Sequence, residues 1–181
     1  MGNLADALVE RHRRLGRGAA PAVLDDDGAL TFDELSDASA RAAGALRARG
    51  VRRGDRVVVL LPDGRRSVQA LLGAVRLGAV AVPLDPATPP DRLAAVLRDC
   101  APATVVDDGA LDGGREPVAD VGAGEIALLV YTSGTTGRPK GVAHVHGAAA
   151  AGGPSFLRDL AGVGPGDRCH AAARSRRPGW S

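Results

Sequence analysis

Between residues 57 and 107, short apolar runs alternate with stretches of helical periodicity, and that rhythm leaves few folds open. "VVVLL" (57–61), "AVAVPL" (79–84) and "ATVVD" (103–107) are nearly continuous in apolar residues, as expected of strands covered on both faces. Between the first two, Val68, Leu71, Leu72 and Val75 recur at i, i+3, i+4 and i+7, the stripe by which a helix packs on a sheet. Leu93, Val96, Leu97 and Cys100 form a second such stripe, with Thr88 and Pro89 placed to cap and start the helix. Strand, helix, strand, helix, strand with short joins predicts an α/β fold with a mainly parallel sheet and flanking helices.

The flanking segments are read the same way. Leu4, Leu8 and Leu15 fall near helical spacing and predict a helix over 4–14. "AVLDDDGALTF" predicts a small hairpin with Asp27-Gly28 at its turn, and Asp25, Asp26 and Asp27 are a solvated turn rather than a metal cluster. Thr31 and Glu34 make a T-x-x-E capping box opening a helix with Leu35, Ala38, Ala42 and Leu46 inward, which Gly50 ends as a left-handed cap. Residues 108–124 carry no periodicity and predict a surface loop; 126–131 predict a strand. Beyond Lys140, "GVAHVH" predicts a short strand, "GAAAAGGPSFLRDL" a helix broken near Gly152-Gly153-Pro154, and "GVGPGDRCHAAA" a turn and a further strand.

Composition removes several classes of function. A net charge of +2 and 2% aromatic residues offer no basic, aromatic-studded face for nucleic acid. No apolar run approaches the ~20 residues of a membrane helix, and the N-terminus lacks the pattern of a signal peptide. Two cysteines make no disulfide framework, and Cys100 reads as a buried core thiol. A cytoplasmic protein is expected.

The chemistry is concentrated in "YTSGTTGRPKG" (131–141), which follows the apolar run "IALLV". A glycine-rich loop at a strand's carboxyl end presents backbone N–H groups that converge on an anion. Gly134, Gly137 and Gly141 permit close backbone approach; Thr132, Ser133, Thr135 and Thr136 supply hydroxyl donors; Lys140 supplies the charge. Polyphosphate suits this inventory. A Walker A loop does not fit, since that template needs glycine at Pro139 and Ser or Thr at Gly141. "GAGEIA" (122–127) precedes a strand rather than following one, so it is no dinucleotide fingerprint. The "HVH" pair, His144 and His146, has no third ligand at a recognisable spacing, and no metal site is assigned.

The full order "YTSGTTGRPKGV" resembles the phosphate-binding signature of the adenylate-forming, AMP-binding superfamily: acyl-CoA synthetases, aryl-CoA ligases, luciferases and the adenylation domains of peptide synthetases. "LTFDELSDASARAAGALRARGVRRGDRVVVLLPD" (30–63) and "LGAVAVPLDPATPPDRLAAVLRDCAPATVV" (77–106) resemble that family's opening segments. The resemblance divides the chain into a lead-in helix (1–21), a partial AMP-binding domain (22–173) and a non-matching tail (174–181). It implies that Thr132, Ser133, Gly134, Thr135, Thr136, Gly137 and Lys140 hold the ATP β- and γ-phosphates, and that His146 serves near the acyl site or in packing. It also implies ATP with Mg²⁺, a carboxylic acid substrate, and coenzyme A or a carrier-protein pantetheine as acceptor. Catalytic residues are not assigned. The family's Mg²⁺-linked glutamate, ribose-gripping aspartate and adenylating lysine have no counterpart in this sequence. The expectation is a truncated ligase, inactive alone, whose "RSRRPGWS" tail marks a frameshift or assembly error. The alternatives are a stand-alone ATP or pyrophosphate binder, or one half of a split ligase completed by another chain.

Overall fold

The structure, a computed structural model, describes residues 2–107, 111–132 and 139–155 together with 164, 167 and 168. The expected strands appear as β3 (Arg56–Val59), β4 (Val80–Pro83), β5 (Thr104–Val106) and β6 (Ile126–Thr132), joined by β7 (Lys140–Val145) in one sheet of order β5-β3-β4-β6-β7. All neighbours are parallel except β6 and β7, which pair antiparallel. A mainly parallel α/β sheet is therefore what the chain forms.

Three helices precede or cross over this sheet: α2 (Phe32–Ala48), α3 (Arg65–Arg76) and α4 (Pro90–Cys100). Successive strand residues point to opposite faces, and the core divides accordingly. Val57, Val59 and Ala81 pack with Leu35 and Leu46 of α2 and Leu72 and Val75 of α3. Val58 and Val82 pack with Val96 and Cys100 of α4. The chain steps from β3 to β4 in one direction and from β4 to β5 in the other. Right-handed crossovers then require α3 and α4 on opposite faces.

The capping box of α2 is present, with Thr31 accepting from the Glu34 N–H and Glu34 accepting from Thr31. Gly50 follows that helix at φ +85°. The hairpin β1 (Pro21–Asp25) and β2 (Gly28–Thr31) turns through Asp26 and Asp27, one residue before the expected turn, because Gly28 at φ +109° already pairs with Asp25. Asp25 is not merely solvated. It receives the Arg65 guanidinium (Nε at 3.0 Å) and backbone N–H (3.0 Å), which hold its carboxyl well below the usual range.

Other expectations need correction. The first helix is π-wound over Asp6–Glu10 before α1 (Arg11–Arg14). In π winding residues five apart align, so Leu4 and Val9 share the buried face while Leu8 and Leu15 are exposed. Helix α4 starts at Pro90 with Pro89 as its cap, not at Thr88, whose N–H is already engaged by the Asp85 carbonyl. Described residues 111–124 form the expected surface loop, without helix or strand, but one tied to the body of the fold. The Glu116 and Ala119 N–H groups donate to the Ala40 and Arg76 carbonyls, and Asn3 donates to the Ala119 carbonyl. Glycine makes this contact possible: a Cβ on Gly44 would stand 1.6 Å from the Gly114 carbonyl oxygen. Helix α5 (His146–Ser155) runs unbroken across Gly152 and Gly153, a tolerated cost of ~1 kcal/mol per glycine. Of 162–173, Asp167 closes a turn by donating its N–H to the Gly164 carbonyl. Cys169, His170 and the 174–181 tail lie outside the described residues, as do the remaining residues of that segment except Gly164 and Arg168.

Candidate functional site

Strand β6 runs through the sheet beside β4 and ends at Thr132; β7 begins at Lys140 directly opposite, the two residues pairing across the ladder. β6 and β7 are thus the two arms of an antiparallel hairpin at the edge of the sheet, with the glycine-rich residues between them in sequence. Thr132 and Lys140 are both exposed at the mouth of that loop. Ser133, Gly134, Thr135, Thr136 and Gly137 lie outside the described residues, so the structure brings together two of the seven phosphate-site residues named from the sequence.

The stems of the hairpin are anchored from below. Tyr131 is buried, and its hydroxyl donates to Asp99 Oδ2 near the end of α4. Burial, then the Asp99 carboxylate, pushes the Tyr131 phenol well above its ordinary pKa. Its ring lies over Gly141, its partner on β7: a Cβ there would come within 3.2 Å of Tyr131 Cζ and 2.9 Å of Leu129 Cδ1. Cys100, next to Asp99, is a buried free thiol as expected, and burial pushes its pKa up. An irregularity between Ile126 and Leu128 resets the facing of β6, so that Leu129 and Tyr131 turn toward α4 while Ala127 turns toward the other core.

Beside Tyr131 lies an open cleft of about 270 Å³. Leu84, Val96 and Tyr131 form its apolar floor; Asp85, Thr88 and Arg92 form its rim. Leu84 directly follows β4 and Tyr131 nearly ends β6, so the cleft opens where parallel α/β sheets commonly receive ligands. A second cleft of about 420 Å³ lies on the far side of α2, bordered by Arg13, Asp33, Arg76 and Glu116. Its charges are mutually satisfied. Arg76 donates to Glu10 at 2.8 Å and to the Glu116 carbonyl at 2.7 Å, while Arg13 donates to Glu10 and Asp33. Burial opposes the charge on Glu10, but donors from Ser36, Arg76 and Arg13 outweigh it and lower its pKa. That network holds α1 to α2 and α3.

His146 is wholly buried at the start of α5. The Leu4 N–H donates to its Nδ1 at 3.0 Å, and its own N–H donates to the Glu125 carbonyl at 2.8 Å. An accepting Nδ1 places the neutral ring's proton on Nε2, which has no partner among the described residues. Burial pushes its pKa down and keeps the ring neutral. Because β7 ends at Val145, His144 is exposed on the strand while His146 is buried in the helix, and the two do not share a face. Among the described residues no three His, Cys, Asp or Glu side chains come together to hold a metal. Nor is any helix there long and apolar enough to cross a membrane.

Sequence reasoning quoted Tyr131 but gave it no role, and it missed Asp99 altogether. Asp99 lies 32 residues earlier and off the apolar stripe of α4, so no spacing rule connects the two. The ion pair of Arg53 with Glu125 at the foot of β6, with Arg53 Nε at 2.7 Å from Oε2, was equally silent.

The AMP-binding enzyme family model matches residues 11–120 and 107–174. Surfactin synthase subunit 1 of Bacillus subtilis (strain 168) is 38% identical over 144 residues, covering 70% of this chain and 4% of that protein. The 3-hydroxybenzoate--CoA/4-hydroxybenzoate--CoA ligase of Thauera aromatica is 31% identical across 99% of this chain and 41% of its own length. Among solved structures, VinN with 3-methylaspartate superposes with a TM-score of 0.77 at 29% identity, over 87% of this chain and 51% of that one. The anthranilate CoA ligase AuaEII with anthranoyl-AMP gives 0.72 at 27%, over 80% and 35%. The chain thus spans about half, or less, of the length of these relatives. It belongs to the AMP-binding enzyme family, the adenylate-forming superfamily of aryl-CoA ligases and nonribosomal peptide synthetase adenylation domains.

Proposed function

We propose, with membership of the AMP-binding family as the premise, that the loop from Thr132 to Lys140 holds the β- and γ-phosphates of ATP in a carboxylate-activating ligase. The observation that carries this reading is the pairing of Thr132 with Lys140 across the mouth of the glycine-rich hairpin, at the carboxyl edge of the sheet. Thr132, Ser133, Thr135 and Thr136 donate hydroxyl hydrogen bonds to phosphate oxygens. Gly134 and Gly137 let the backbone N–H groups approach, and Lys140, the single lysine of the chain, neutralises charge on the leaving group. This is a positioning and electrostatic task. The carboxylate oxygen of the acid attacks the α-phosphorus, the bond to the β-phosphate oxygen breaks, and pyrophosphate leaves. The acyl group then passes from AMP to a thiol of coenzyme A or pantetheine. Mg²⁺ enters as part of MgATP, and no step is routed through a metal held by these residues. His146 serves in packing, tying α5 and the N-terminal segment behind the hairpin.

The chain alone, spanning 41% of the hydroxybenzoate ligase's length, is expected to bind MgATP without turning it over, and to do so in the cytoplasm. Calorimetric titration with MgATP, followed by carboxylate-dependent ATP–pyrophosphate exchange, tests both parts. Binding that is unchanged in Lys140→Ala would remove the phosphate assignment. Exchange by the chain alone would show it to be a complete catalyst.

A further inference from the structure

Ordering a binding segment costs affinity, and the two described ends of the phosphate loop are Thr132 and Lys140. What fixes its ends is therefore part of how it binds. Among the described residues, Tyr131 touches both stems of the hairpin and α4. It immediately precedes Thr132; its ring lies over Gly141, immediately after Lys140; and its hydroxyl donates to Asp99 at the end of α4. The aromatic side chain thus clamps both stems of the hairpin against each other and ties them to the helix on that face of the sheet. At the opposite end of the hairpin, His146 and Glu125 secure the foot of β6 and the start of α5.

We propose that Tyr131, through its hydrogen bond to Asp99 and its seat on Gly141, is a positioning residue that fixes Thr132 and Lys140 at the two ends of the phosphate loop. This rests on the assignment of that loop to ATP. Tyr131 itself touches no phosphate. Its hydroxyl, in a part-buried hydrogen bond, gives α4 and the hairpin one fixed spacing, so loosening it widens the range of positions open to Thr132 and Lys140.

The test uses the full chain, with Tyr131→Phe, Asp99→Ala and Asp99→Asn titrated calorimetrically against MgATP. Loss of one hydrogen bond weakens an equilibrium about two- to tenfold. Tyr131→Phe and Asp99→Ala are each expected to weaken MgATP by about fivefold, and together by no more than either alone, because they break the same bond. Asp99→Asn keeps an accepting oxygen and should rescue affinity to within about twofold of the unaltered chain. Asp99 is exposed, so its variants carry the test even if Tyr131→Phe fails to fold. Tyr131 is the chain's one tyrosine, and its near-ultraviolet titration reports the tether directly. Burial, the larger cause, is kept in both variants, so that titration should stay above the ordinary range in each and fall further in Asp99→Ala than in Asp99→Asn. If Tyr131→Phe and Asp99→Ala bind as the unaltered chain does while Lys140→Ala loses affinity, the positioning role is wrong and the phosphate loop stands. If Lys140→Ala also binds normally, or the unaltered chain binds no MgATP, the phosphate assignment falls and takes the positioning role with it.

Discussion

In the parallel core, Val57, Val58, Val59 and Val82 are almost wholly buried, each between the sheet and a helix; along β7, every residue from Lys140 to His144 is exposed. The two regions belong to one sheet but are held in register by different means. The core is specified side chain by side chain, since a slip of one residue would exchange its two faces. The β6–β7 ladder is held by a few anchors at its base and stems. A scaffold can be over-determined because nothing in it has to close around a ligand. A phosphate loop of the proposed kind needs small side chains and backbone donors turned to the ligand, so the described residues at its ends, Thr132 and Lys140, matter most to its placement.

Substitutions should therefore separate stability from ligand binding. Leu46→Ala, at a fully buried position of α2, is expected to cost about 3 kcal/mol in urea unfolding, with MgATP affinity of the folded fraction unchanged. A comparable loss of affinity would mean that core and loop are not separable. Lys140→Ala should do the reverse. Its side chain is exposed, so stability should stay within about 0.5 kcal/mol while MgATP binding weakens about tenfold or more, as loss of a charge-assisted contact requires.

Gly141→Ala lies between these cases. A Cβ 2.9 Å from Leu129 Cδ1 and 3.2 Å from Tyr131 Cζ must turn the Leu129 side chain aside and nudge the ring by a few tenths of an ångström, at about 1 kcal/mol of stability together with a few-fold loss of affinity. If affinity is kept, the ring's seat is irrelevant to the loop. The smallest effect is expected at the foot of the hairpin. Arg53, then the Gly122 N–H, hold the Glu125 carboxyl down to about 2 from its ordinary 4.5. A carboxyl lowered by folding stabilises the chain above its unfolded pKa, and that contribution is lost as pH falls through the folded value. Stability should decline between about pH 4.5 and 2, and Glu125→Gln should flatten that part of the profile. An unaltered profile would show the pair to be too solvated to matter.

The fold was legible where side chains repeat. The apolar runs of β3, β4 and β5, the stripes of α3 and α4 and the Thr31–Glu34 box all carry their message within a few residues. It was illegible where backbone meets backbone. Gly44 against the Gly114 carbonyl pins residues 111–121 across α2 and α3, yet such a contact leaves no period to read. The π winding that exposes Leu8 was hidden too, since the apolar residues alone suit an α-helix about as well. At the site, the loop's residue types pointed to polyphosphate before any geometry was known. Its antiparallel closure and the bond from Tyr131 to Asp99 join residues that no local pattern links.

The central claim, that a rigid α/β scaffold presents the Thr132–Lys140 loop to ATP phosphates, is tested most directly by calorimetric titration of the chain and of Lys140→Ala with MgATP, each with its urea unfolding curve. The account expects saturable binding by the unaltered chain, and weakening of about tenfold in the variant, with superimposable unfolding curves. Equal affinity in the two proteins, or a loss of binding matched by a loss of stability, would contradict it.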